Sequence, residues 1–219
     1  VYIATDGNGV HFLSHKKQQV TRRFYHDVSD KEGIRSNSVY SLLVDDRGAV
    51  WVGHFQAGLD YSLYQNGLFR TYAYPPLFNS ANLSIRSFIS RGQEKVIGSR
   101  DGLFYINEAT GMVKSFVKPV LTSDLILTIS FYQGEYYIGT YGGGMMVLNP
   151  ETLSLKYFSQ SDTELFQKGH IFCVKPDTKG NLWIGTSQGL FNYNGQTKQI
   201  KHFTSANSQL PEGNVYEVS

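Results

Sequence analysis

One short pattern returns five times along the chain: a β-favouring pair, a small residue and a polar residue, followed by Gly and an apolar residue. The copies are Tyr2-Ile3-Ala4-Thr5 with Gly9-Val10, Trp51-Val52-Gly53-His54 with Gly58-Leu59, Val96-Ile97-Gly98-Ser99 with Gly102-Leu103, Tyr137-Ile138-Gly139-Thr140 with Gly144-Met145, and Trp183-Ile184-Gly185-Thr186 with Gly189-Leu190. Between the small residues Ala4, Gly53, Gly98, Gly139 and Gly185 lie steps of 49, 45, 41 and 46 residues. A period near 45 is that of a β-propeller blade, a four-stranded antiparallel sheet that cannot bury its faces without neighbours. The expected fold is therefore all-β, a propeller of about five repeats.

The rest of a blade is legible around each copy. Second strands are expected near 1–5, 49–54, 95–99, 136–140 and 181–186. In the best-formed unit, Val39 to Asp45 reads as the first strand, Leu59 to Tyr64 as the third and Leu68 to Tyr74 as the fourth. Asp45-Asp46-Arg47-Gly48 and Asp177-Thr178-Lys179-Gly180 suit tight hairpins, since Asp caps its own turn and Gly accepts positive φ. First strands align as Val39-Tyr40-Ser41, Ile85-Arg86-Ser87, Ile126-Leu127-Thr128, Ile171-Phe172-Cys173 and Val215-Tyr216-Glu217. Four of their third positions are small, as crowding near a propeller axis requires. Fourth strands carry a basic residue two before an aromatic: Arg22/Phe24, Arg70/Tyr72, Lys114/Phe116, Lys156/Phe158 and Lys201/Phe203. On an outermost strand, Lys and Arg blunt edge-to-edge association while the aromatic packs on the sheet.

Residues 1–219 read as a single propeller segment that opens on a second strand and closes on a first strand, Asn214 to Ser219. Such endings suit either a five-bladed ring or a piece of a longer array. Pro211 to Val215 repeats the approach of Gly33 to Val39, which favours the longer array, typically seven-bladed. A net charge of +2 provides no phosphate-attracting field, so nucleic acid is not an expected partner. No apolar run is long enough to span a bilayer, and no secretory leader is read. The lone Cys173 aligns with Ser41 and Ser87 and reads as a packed small residue. Six histidines show no metal spacing, and Gly142-Gly143-Gly144 lacks the helix start of a phosphate cradle. No cofactor, metal site or catalytic residue is expected.

First strand, Asp/Gly turn, Trp-Ile-Gly-Thr and Gly-Leu together resemble the two-component-regulator propeller repeat, with Trp183 to Leu190 the closest copy. Val96-Ile97-Gly98-Ser99 lacks the aromatic, and Ala4 and His54 each depart at one place. The resemblance implies the periplasmic sensor region of a Bacteroidetes hybrid histidine kinase, whose kinase modules lie outside these residues. It further implies a glycan-derived signal, control of polysaccharide utilisation, and a homodimeric parent receptor. Asp46-x-Gly48-x-x-Trp51 also resembles the Asp box of sialidases, but its second copy, around Asp177, has a different spacing. A sialidase- or lyase-like enzyme, which needs a convergent acid and nucleophile set, is the weaker alternative.

Topology places any binding surface where loops from second to third strand and interblade loops gather on one face. The candidates for an oligosaccharide or related small molecule are Asp6, Asn8, His54, Phe55, Gln56, Arg100, Asp101, Tyr141, Ser187 and Gln188, with Arg35 and His170 from interblade loops. Polar groups suit sugar hydroxyls, and the aromatics Phe55 and Tyr141 suit ring faces. Asn37, Phe78 and Arg86 are further interblade positions. The expected role is non-catalytic ligand sensing, with a dimerisation scaffold as the alternative.

Overall fold

The computed structural model describes residues 1–30, 32–62, 68–72, 83–158 and 165–218. The alternation of apolar and polar residues between Gly-bearing turns gives five successive antiparallel sheets. The first contains β1 (Tyr2–Thr5), β2 (Gly9–Ser14) and β3 (Gln19–Phe24) in that order. The second contains β4 (Val39–Val44), β5 (Val50–His54), β6 (Leu59–Ser62) and β7 (Arg70–Thr71), and the third β8 (Ile85–Arg91), β9 (Glu94–Ser99), β10 (Leu103–Asn107) and β11 (Met112–Phe116). The fourth is built from β12 (Ile126–Tyr132), β13 (Glu135–Thr140), β14 (Met145–Leu148) and β15 (Leu155–Tyr157). A short helix α1 (Leu165–Lys168) precedes the fifth, made of β16 (Ile171–Pro176), β17 (Asn181–Thr186), β18 (Gly189–Asn194) and β19 (Ile200–Phe203). Each sheet is an up-and-down meander, which is the blade of a propeller. The chain divides into two compact units, Val1–Ser115 and Phe116–Ser219.

Cores lie between blades, as sheets with two apolar faces require. In the first unit, Val10, Ile34, Val39, Val52 and Phe69 pack where the first two blades meet, and Trp51, Leu59, Ile85, Ile97 and Phe104 where the next two meet. In the second unit, Tyr137, Met145, Val147, Phe158, Ile171, Ile184, Phe191 and Tyr193 join its blades. The Lys95 side chain is also enclosed in the first unit, with its ammonium 3.2 Å from Glu108 and 2.9 Å from the Gly92 carbonyl.

The small residue of the repeat has a steric cause. A Cβ on Gly53 would lie 2.1 Å from Ser41 Oγ and 2.9 Å from Ile85 Cγ2, and one on Gly139 would lie 2.5 Å from Thr128 and 2.7 Å from Ile171. One on Gly185 would meet Cys173 Sγ at 2.6 Å and the Val215 carbonyl at 2.5 Å. The glycine is thus wedged between the third residue of its own first strand and the first residue of the next. This explains why Ser41, Thr128 and Cys173 are small more directly than axial crowding does. The same register leaves a bulge in four first strands, between Val39/Ser41, Ile85/Ser87, Ile126/Thr128 and Ile171/Cys173.

One expectation changes. Asn214 to Val218 is not a strand, and Ser219 lies outside the described residues. The Val215 amide nevertheless donates to the Thr186 carbonyl at 3.0 Å, and its position over Gly185 matches that of Ile171 over Gly139. This hydrogen bond, with the Lys175–Glu217 ion pair at 3.1 Å, positions the segment without forming a ladder. In the turns, Asp45 and not Asp46 is the structural carboxylate: it accepts the Arg47 and Ala49 amides at 3.0 and 2.9 Å and the Trp51 indole N–H at 3.0 Å. Asp177 does the same for the Lys179 and Asn181 amides and the Trp183 indole N–H, at 2.9, 2.8 and 3.1 Å. Counted from Asp45 the two turns have identical spacing, and the carboxylates serve as internal fasteners. The third and fourth strands of the second blade were expected to reach Tyr64 and Tyr74, which lie outside the described residues, as does Phe78.

Candidate ligand-binding face

Backbone hydrogen bonds fix the turns between second and third strand, on both sides in the second and fourth blades. Toward their own blades, Phe55, Arg100, Tyr141 and Ser187 donate to the carbonyls of Ser38, Ser84, Leu125 and His170, at 3.0, 3.1, 2.9 and 3.2 Å. Toward the segment entering the next blade, Gly9, Gly58 and Gly144 donate to Asn37, Leu83 and Gly169 at 2.9, 2.9 and 3.0 Å. Turns and interblade segments therefore share one face within each unit, as the topology argument requires. Gly144 shows why the triglycine turn is needed: at φ 71° its missing Cβ would lie 2.0 Å from the Phe166 carbonyl oxygen.

At the end of the second strand, Thr5, Ser99, Thr140 and Thr186 donate to the Gly9, Gly102, Gly144 and Gly189 carbonyls at 2.8, 3.0, 2.9 and 2.8 Å. His54 holds this place in the second blade, and it is enclosed, 0% exposed, rather than presented at the mouth. Its Nε2 lies 2.9 Å from Asp60 Oδ2, while Arg35 Nε donates to Asp60 Oδ1 at 3.0 Å. Burial pushes the Asp60 carboxyl up, but His54 and Arg35 outweigh it and hold the group below its ordinary value. Arg35 also donates to the Ala57 carbonyl, so its guanidinium is committed to the turn. His54 is thus enclosed behind this face, while the Arg35 side chain stays 43% exposed on it.

The remaining sequence candidates separate into turn tips and aromatics. Asp6, Asn8, Gln56, Arg100, Asp101 and Gln188 are exposed, and Ser187 is half-buried. Asp6 pairs with Ser38 as an isolated bridge, and the Asp101 and Gln188 amides bond to the hydroxyls of Ser99 and Thr186 at 2.9 and 3.0 Å. Phe55 packs on Tyr40 with ring centroids 5.1 Å apart, and the Arg86 guanidinium lies 5.0 Å above the Tyr40 ring. In the second unit Tyr141 stacks on His170 at 4.0 Å, His170 neighbours Phe172 at 6.1 Å, and Phe172 packs on Tyr216 at 4.6 Å. Tyr141 is 50% and Tyr216 64% exposed, so the second row forms an open aromatic ledge.

Tyr40, Phe172 and Tyr216 were not among the sequence candidates. Tyr40 and Phe172 occupy the bulge position, the middle of the aligned first-strand triplets, and Tyr216 is the corresponding residue of the fifth triplet. A large residue between a β-branched and a small one was the available signal. A cleft of about 240 Å³ beside the first turn is lined by Arg23, Phe24, Tyr25, Asp27, Asp30, Gly33 and Phe69. Its carboxylates are already engaged, Asp27 by Ser29 and Asp30 by the Glu32 amide. Among the described residues no three His, Cys, Asp or Glu side chains converge as a metal-binding group, and no helix is long and apolar enough to cross a membrane.

The family profile described as two component regulator propeller matches residues 33–56 and 166–188. Both segments run from the interblade approach into the second-to-third-strand turn. These two segments match the two-component-regulator propeller repeat. The extracellular domain assigned to a hybrid two-component system of B. thetaiotaomicron is 25% identical, with a TM-score of 0.69 over 91% of this chain and 28% of that one. Another such domain from the same organism is 18% identical, with a TM-score of 0.65 over 92% and 27%. PorZ, a surface component of the type-IX secretion system of Porphyromonas gingivalis, is 16% identical with a TM-score of 0.74 over 99% and 34%, a likeness of fold. The chain thus spans about a quarter to a third of the length of these structures. No curated protein matches the sequence.

Proposed function

We propose that this two-component-regulator propeller segment is a non-catalytic, periplasmic sensor module of a hybrid histidine kinase, recognising glycan-derived ligands and so controlling polysaccharide utilisation. The observation that supports it is the ledge of Tyr141, His170, Phe172 and Tyr216, held on turn and first-strand positions by a rigid sheet scaffold. Aromatic faces suit the C–H faces of sugar rings, and the exposed polar turn tips suit their hydroxyls. Binding there would act by favouring one of two arrangements of a receptor dimer, a population shift without chemistry.

Isothermal titration with host and plant oligosaccharides tests this. Saturable binding that falls at least tenfold in Y141A or F172A, with unchanged melting, supports the ledge as the site. Binding unaffected by both substitutions would remove it. A second reading is a dimerisation scaffold, favoured by the same exposed Tyr141 and Tyr216. Sedimentation would then show a dimer that Y141A or Y216A dissociates, with no sugar bound.

A further inference from the structure

Arg86 stands apart from the other arginines whose contacts the structure describes. Arg35, Arg47 and Arg91 each face a carboxylate, at 3.0, 3.6 and 3.9 Å. Among the described residues no carboxylate pairs with Arg86, and its Nε is enclosed without a hydrogen-bond partner. It occupies the bulge position of β8, the place that Tyr40 fills in β4 and Phe172 in β16. Blade three therefore presents a cation where the second and fifth blades present a ring and the fourth presents Leu127.

Its surroundings define what would satisfy it. The Arg86 side chain is half-buried against the Tyr40 ring, 36% exposed, which continues to Phe55. The Arg100 amide, on the next turn, bonds to the Ser84 carbonyl two residues before Arg86, and the Arg100 side chain is exposed beside the exposed Asp101. A guanidinium covered by an aromatic ring loses water on that side, which raises the value of a counter-ion. Its planar fork matches the two oxygens of a carboxylate or sulfate better than any neutral hydroxyl. We infer that the first unit's face selects an acidic saccharide, a uronate or sulfated sugar, with its ring on Tyr40 and Phe55 and its anionic group on Arg86. This rests on the reading above that the aromatic face takes sugars, and it adds a charge requirement.

The test uses the whole 219-residue chain and matched oligosaccharide pairs: oligogalacturonides and glucuronides with their methyl esters, and sulfated galactosides with their desulfated forms. The acidic member of at least one pair should bind about 10- to 100-fold more tightly than its neutral partner, the value of one or two charge-assisted hydrogen bonds. That preference should disappear in R86Q, be partly retained in R86K, and weaken with added salt. The uronate and sulfate arms separate the two anion types. Neutral members binding as well as acidic ones would overturn the charge requirement and leave the saccharide reading intact. No binding by any member to a protein with an unchanged melting curve would overturn both. An acid preference that survives in R86Q would remove Arg86 as its source.

Discussion

Replacing Gly53 with alanine puts one methyl group into the narrowest place of the second blade. The new carbon would lie 2.1 Å from Ser41 Oγ, 2.9 Å from Ile85 Cγ2 and 3.1 Å from Ile85 Cβ, against the roughly 3.5–4.0 Å of a normal carbon contact. Ser41 can rotate away. Ile85 cannot, because it is fully buried and its branched side chain is confined to few rotamers. The strain therefore passes to β8, and overpacking of this kind costs about 1–3 kcal/mol. Alanine recovers roughly 0.5–1 kcal/mol through the unfolded chain, since Gly53 does not need positive φ. A net loss of about 1–2 kcal/mol follows, read as a lower urea midpoint with unchanged slope. In S41A/G53A the nearest clash is gone and only Ile85 remains, so the pair should be less destabilised than the sum of its members by about 0.5–1 kcal/mol. A G53A protein as stable as the parent, or additive behaviour of the pair, would refute the wedge.

D45N should lose about 1–3 kcal/mol at neutral pH, because the amide nitrogen of Asn must face one of the three donors that Asp45 accepts. Burial pushes the Asp45 carboxyl up, but the Trp51 indole and the Ala49 and Arg47 amides prevail and hold it below its ordinary value. A depressed folded-state value means this stabilisation is complete above the unfolded carboxylate pKa of about 3.9 and is lost as pH falls through the folded one. Urea midpoints of parent and D45N should therefore converge on acidification below about pH 4, and a constant gap would refute the assignment. H54T should cost about 2–4 kcal/mol in the same assay, since it restores the hydroxyl of the other blades but leaves buried Asp60 to Arg35 alone. Asp177, held down to about 2 chiefly by Asn181 and then by the other turn donors, should remain ionised down to that pH, visible as a late-shifting carboxyl carbon resonance.

Blades were legible because their constraints recur at a fixed step. Gly53, Gly139 and Gly185 mark one contact made in three of the five copies, and the Asp45 and Asp177 turns repeat donor for donor. The site was legible only where it shares those constraints. Turn tips such as Asp101 and Gln188 follow from topology, because second-to-third-strand turns must lie on one face. His54 was misplaced because its role depends on Asp60 and Arg35 together. In the corresponding third-strand position the other blades carry His11, Phe104, Met146 and Phe191, so the exchange of Thr for His accompanies an exchange to Asp six residues on. A pattern aligned column by column shows each substitution but not their contact.

The bulge positions make the complementary point. Val39 pairs with His54 and Ser41 is fixed by the glycine it touches, yet Tyr40 between them has no partner opposite it in the ladder. The same register frees Arg86, Leu127 and Phe172. An irregularity required by packing the glycine wedge therefore produces, in four blades, one side chain whose identity the blade does not dictate. Turn residues have similar freedom once their amides are tied to the neighbouring strand entry. Chemical variety on this face can change from repeat to repeat, ring to guanidinium to aliphatic, while the hydrogen bonds and close contacts that build the blade stay constant. Specificity should accordingly transfer with these residues. Exchanging Arg86 for Tyr and Tyr40 for Arg would move the cation one blade along while retaining both folds, and a charge preference that moved with it would tie recognition to the bulge rather than to any particular sheet.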